Sequence, residues 1–75
     1  MYHTIEFVNH WILDVAISSR QPLERLQVRK GTRFNLQLRP LVVETPDGFV
    51  EVADLFFDDG TTSYSVPYEQ FRFVD

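Results

Sequence analysis

Arg33-Phe34-Asn35-Leu36-Gln37-Leu38-Arg39 alternates polar and apolar residues at every step. Successive side chains of an extended backbone point to opposite sides, so this period of two gathers Phe34, Leu36 and Leu38 on one face of a strand. Arg25-Leu26-Gln27-Val28-Arg29 shows the same period just before it, with Lys30-Gly31-Thr32 between the two runs. The pattern predicts two strands, and a hairpin through residues 30–32 that joins them.

The rest of the chain continues in kind. Pro40 suits a bend or an edge position, since proline has no N–H to give a central ladder. Leu41-Val42-Val43 carries the extended chain on, and Thr45-Pro46-Asp47-Gly48 has the chemistry of a hairpin tip. Phe49 to Phe57 forms the return strand, and its parity shifts midway, from Val50 and Val52 to Ala53, Leu55 and Phe57. A bulge, or a strand covered on both sides, accounts for that shift. Asp58-Asp59-Gly60-Thr61 predicts a second turn, because Asp-Gly between two strand patterns is a strong hairpin signal. Thr62, Tyr64 and Val66 then alternate inward and Pro67 ends that strand. Pro67-Tyr68-Glu69-Gln70 has room for one short helical turn, and Phe71-Arg72-Phe73-Val74 extends again.

Residues 3–18 admit two readings. Ile5, Val8, Ile12 and Val15 fit an amphipathic helix, which would make the chain α+β. Ile5 with Phe7 and Leu13 with Val15 and Ile17 fit two strands with a turn at Asn9-His10. The β-branched residues favour the strands. The expected class is therefore all-β and mainly antiparallel.

With 75 residues and no cysteine, the chain has the size of one domain, residues 1–75, and must be held together by apolar burial. A hydrophobic content of 44%, with seven Phe, three Tyr and one Trp, supplies the material for that core, and disorder is not expected. The N-terminus lacks the basic leader of a signal peptide and carries Glu6 and Asp14 instead. No run approaches the roughly 18 to 20 apolar residues that a membrane helix needs. A soluble, cytoplasmic protein with no membrane contact is the expectation.

From Leu26 to Phe34 the chain resembles the apolar, Lys-Gly, strand-entry element of SH3-like barrels. Asp58-Asp59-Gly60, the following strand, Pro67-Tyr68-Glu69-Gln70-Phe71 and the last short strand resemble the distal hairpin, short helical turn and closing strand of that fold. The likeness spans about residues 25–75 and implies a small SH3-like barrel. Val50-Glu51-Val52-Ala53 stands where those domains carry a tryptophan pair, and no acidic loop of the usual kind precedes Leu26. Binding of proline-rich peptides is therefore not implied, and fold does not imply function.

Candidate sites are few. Asp58 and Asp59 offer oxygen ligands, but large apolar residues occupy the alternate positions a calcium loop requires, so the pair is expected to serve the turn. His10 with Asp14 would share a face only if residues 3–18 were helical. Ser18, Ser19, Ser63 and Ser65 lie in no nucleophile motif. Gly31, Gly48 and Gly60 each fit a separate turn, and no phosphate-binding loop or cofactor motif is present. No catalytic residue, metal or cofactor is expected.

Charge divides unevenly along the chain. Residues 1–43 hold three acidic against six basic side chains, and residues 44–75 hold eight acidic against Arg72 alone. Arg25, Arg29, Lys30, Arg33 and Arg39 form a candidate face for an anionic partner if the hairpin at residues 30–32 presents them together. The net charge of −4 argues against nucleic acid. Glu44, Glu51 or Asp54 on a neighbouring strand are the expected partners of these arginines. Trp11, Tyr64 and Tyr68 are candidate contacts for a protein, because a flat, partly polar ring suits recognition near a peptide groove. Phe71 and Phe73 are expected in the core or at a subunit contact.

These features point first to a binding module for another protein, without catalytic activity. A nucleic-acid-binding module using residues 25–39 stands second, and a small enzyme or enzyme subunit third. A homodimer is a further expectation, since a small core gains from added burial and open edges invite pairing.

Overall fold

The computed structural model describes residues 1–16 and 24–75. Seven strands follow one another: β1 (His3–Phe7), β2 (Trp11–Ala16), β3 (Glu24–Val28), β4 (Arg33–Thr45), β5 (Gly48–Phe56), β6 (Thr62–Pro67) and β7 (Phe71–Phe73). A short 3-10 helix, Tyr68–Gln70, precedes β7. All pairings are antiparallel, in the order β3-β2-β6-β5-β4-β1-β7. The class is all-β, and the curled sheet is a half-barrel.

Residues 3–16 settle as two strands with a turn over Val8–His10, so the helical alternative for residues 3–18 falls. Its last members, Ile17 and Ser18, lie outside the described residues, as do Ser19 and Arg20. The reason is tertiary as well as local. Ile5 and Phe7 turn to the core from β1 while β1 pairs on both edges, with β4 and β7.

Every strand supplies the core. Ile5, Phe7, Leu13, Val28, Leu36, Ala53, Leu55, Val66 and Phe71 form one buried cluster, with Trp11, Val15, Phe34, Leu38, Phe57 and Tyr68 packed around it. Phe34 sits edge-on between Phe7 at 6.0 Å and Phe57 at 5.2 Å, an arrangement that aromatic quadrupoles favour.

β4 is the strand that bends the sheet. His3–Glu6 of β1 pair with Arg33–Leu36, whereas β5 pairs with Gln37–Thr45. Pro40 lies in the second stretch, where β1 is no longer alongside, so its missing N–H falls at an edge. Beyond it, β4 and β5 run on as a two-stranded arm to the Pro46-Asp47 tip. Thr45 Oγ1 donates to the Gly48 carbonyl at 2.9 Å there.

The expected hairpin through Lys30-Gly31-Thr32 is not formed. β3 pairs with β2 and β4 with β1, so this turn parts two strands that do not touch as neighbours. Its backbone explains why. The Gly31 N–H donates to the Phe7 carbonyl at 2.7 Å, and the Phe7 N–H donates to the Thr32 carbonyl at 2.9 Å. Stitched to the end of β1, and with Gly31 at φ +93°, the chain enters β4 beside β1.

On β6, Tyr64 does not point inward. Ser63 and Val66 are buried and Tyr64 is 57% exposed, because the register slips between Ala53↔Val66 and Leu55↔Ser63. β6 spends three steps where β5 spends two, and the bulge reverses the parity on which Tyr64 would have been interior. Across from it β5 is covered on both sides: Val52, Ala53, Asp54 and Leu55 are all buried. The parity shift of that segment thus comes from cover on both faces, while the bulge lies on β6 and leaves the register of β5 with β4 unbroken.

Candidate functional site

The Asp58-Asp59-Gly60 stretch is a turn held by its own side chains. Asp59 Oδ1 accepts from the Thr61 hydroxyl at 2.6 Å and from the Thr61 N–H at 2.9 Å, and the Phe57 N–H donates to the Thr61 carbonyl at 2.9 Å. The Thr61 hydroxyl first, and then its N–H, hold the Asp59 carboxyl below its ordinary value. Gly60 adopts φ +87°, which a side chain would resist. Among the described residues no cluster of histidine and carboxylate side chains is placed to hold a metal ion. No helix among them is long and apolar enough to cross a membrane.

The basic residues are dispersed. Arg25, on β3, faces Asp14 of β2 at 3.6 Å, with both side chains exposed, a pair that contributes little in water. Arg33 donates to Glu6 Oε1 at 2.9 Å, and Arg72 reaches Glu6 Oε2 at 3.0 Å from the other side. Glu6 thus bridges three strands, and hydrogen bonds from Arg33 and then Arg72 lower its pKa. Arg39 donates to Asp54 Oδ2 at 2.8 Å. Arg29 and Lys30 sit exposed at the turn after β3 and meet no carboxylate among the described residues.

Of Glu44, Glu51 and Asp54, Asp54 alone meets an arginine among the described residues. The separation of β3 from β4 dissolves the single basic face, and Asp14 and Glu6, which are not among the expected partners, take Arg25 and Arg33.

The aromatic candidates also part. Trp11 is half-buried at the start of β2, where it borders a shallow depression with His10 and Ile12. His10 and Asp14 share no helix; His10 is in the turn before β2. Tyr64 stands exposed on the β6 bulge. Tyr68 packs on Phe71 at 5.3 Å and on Phe73 at 6.4 Å. Phe71 is buried, whereas Phe73 is nearly half exposed.

Tyr68 lines a groove with apolar walls. This groove, about 250 Å³, is bounded by Pro40, Leu41, Val42, Glu51 and Tyr68. Burial, and next the negative charge of Glu51, raise the Tyr68 pKa above its ordinary value. A second cleft of about 270 Å³ lies between the paired strands β2 and β3 and the Asp59 turn, lined by residues that include Arg25, Phe34, Phe57 and Asp59. It mixes both signs of charge.

The groove continues onto the arm. Val42 stands opposite Glu51 and Glu44 opposite Phe49, so these four share one face of β4 and β5. Val42 is 58% exposed and Phe49 76%. Val42, Phe49 and Glu51 were not singled out as contacts from sequence. The available signal was the apolar run Leu41-Val42-Val43, which, on a strand, must leave one parity uncovered unless both faces are buried.

The fold and these surfaces define a small antiparallel half-barrel with an exposed two-stranded arm. Comparison with protein-family models, curated proteins and solved structures found no match.

Proposed function

We propose that this chain is a small SH3-like barrel acting as a protein-binding module without catalytic activity. The partner contacts the groove beside Tyr68 and the adjoining face of the β4–β5 arm. Support for the barrel comes from the Asp59 turn, the 3-10 helix at Tyr68–Gln70 and a closing strand that returns beside β1, the parts that resemble that fold.

One observation carries the binding role. Val42 and Phe49 are large, apolar and more than half exposed, and they adjoin the Tyr68 groove. Contiguous apolar exposure rimmed by polar groups is the ordinary mark of an interaction surface. Nucleic acid is the weaker reading, because Arg25, Arg33 and Arg39 are each engaged by a carboxylate.

The test is amide-shift mapping of the labelled chain against a partner captured from a lysate of its source cells. Shifts centred on Val42, Phe49 and Tyr68 are expected. Shifts centred on Arg29 and Lys30, or oligonucleotide binding that falls steeply with salt, would replace the reading with the nucleic-acid one.

A further inference from the structure

The carboxylates of this sheet fall into two sets. Glu6, Asp14 and Asp54 each meet an arginine. Glu24 on β3 meets no arginine or lysine among the described residues, and neither do Glu44 and Glu51 on the arm. The pairing Val42↔Glu51 and Glu44↔Phe49 sets them corner to corner with the two exposed apolar residues. Along either strand, like positions on this face repeat about every 7 Å.

We infer that this face docks an extended segment of a partner protein whose every second side chain turns to the sheet, and that these side chains are alternately apolar and basic. The basic groups meet Glu44 and Glu51, and the apolar ones meet Val42, Phe49 and the Tyr68 groove. An extended chain matches the spacing, because its own side chains repeat at the same interval on each side. Its charge follows from complementarity: an acidic segment would face two carboxylates with no cation between them. The same argument disfavours a second copy docked face to face, since a two-fold axis brings together two patches of the same charge sign with no cation between them. The inference rests on the protein-binding reading above and adds the chemistry of the partner.

The probe is the acetylated, amidated peptide (Leu-Ser-Arg-Ser)2, which in an extended chain sets Leu and Arg alternately on one side, titrated into the isotope-labelled chain, with (Leu-Ser-Glu-Ser)2 as counterpart. Shifts at Val42, Phe49 and Tyr68 with the arginine peptide alone are expected. The double variant Glu44→Gln/Glu51→Gln is expected to weaken binding at least tenfold, and the charge-matched variant Glu24→Gln/Asp58→Asn less than twofold. Equal weakening by both variants, absence of binding, or equal binding of (Leu-Ser-Glu-Ser)2 would overturn the inference. A lysate partner that still maps to this face in those cases leaves the protein-binding role standing. A partner or an oligonucleotide that maps elsewhere removes the role and the inference together.

Discussion

Asp54 accepts a hydrogen bond from the Ser65 backbone N–H at 2.9 Å and joins the buried part of β5 to the bulge of β6. Its other oxygen takes Arg39 at 2.8 Å, so a carboxylate only 3% exposed has a donor on each side. Ser65 has a positive φ of 56°, the only residue other than glycine to do so among the described residues. The bulge is therefore held by a side chain eleven positions away.

Removing that acceptor should destabilise the fold. Asp54→Ala strands the Ser65 N–H and is expected to cost about 2 kcal/mol in urea unfolding, and Asp54→Asn, which keeps an oxygen there, about 1 kcal/mol. Equal losses would show that the bulge does not need the acceptor. At Ser65 itself, glycine is expected to leave the melting temperature unchanged or higher. Valine there is expected to cost about 1–2 kcal/mol, because a branched side chain resists a left-handed backbone.

Acid should act through Glu6. Its folded pKa lies below the ordinary 4.5, so its ion pairs with Arg33 and Arg72 contribute stability that is complete above that value. The contribution is lost as pH falls through the folded pKa. Urea midpoints measured from pH 6 downward should decline in this window, and Glu6→Gln should flatten the decline. High salt should flatten it too, since the arginines are more than half exposed.

Phe7 is fully buried and touches the Phe34 and Phe71 rings at 6.0 Å each. Phe7→Ala is expected to cost about 3–5 kcal/mol. A domain of this length has a total of about 4–11 kcal/mol, so the loss is a large share of it and the midpoint of thermal unfolding, followed by far-ultraviolet circular dichroism, should fall steeply. Phe7→Leu, which keeps most of the volume, should stay folded with a loss under about 1.5 kcal/mol.

Tyrosine absorbance offers a direct check on the groove. Tyr68 should ionise above the ordinary value of 10, since burial and the Glu51 charge both disfavour its phenolate. Glu51→Gln should move it part of the way back. No movement would mean that Glu51 does not face the ring.

The strands and turns were largely legible in the residues. Phe34, Leu36 and Leu38 gave β4 its inner face, and the tip at Pro46-Asp47 and the turn at Asp58–Thr61 lie where proline, aspartate and glycine indicated. The site was much less so. Tyr68 is a candidate contact from sequence and Glu51 a candidate only for pairing with arginine, whereas Val42 and Phe49 are neither, because their shared face exists only where β4 runs on past β1. Tyr64 was assigned to the wrong side because a bulge leaves no period of its own in six residues.

Strand character and turn position are properties of neighbouring residues, since side-chain alternation and a tolerated φ depend on the next few peptide units. Order within the sheet belongs to another scale. Glu6 meets Arg33 across 27 positions and Arg72 across 66. Such meetings minimise the free energy of the entire sheet, in which burial of Ile5 and Phe7 and the stitching of Gly31 to β1 count together. Tertiary packing alone thus decided which carboxylates took arginines, and which, on the arm, kept their charge facing outward.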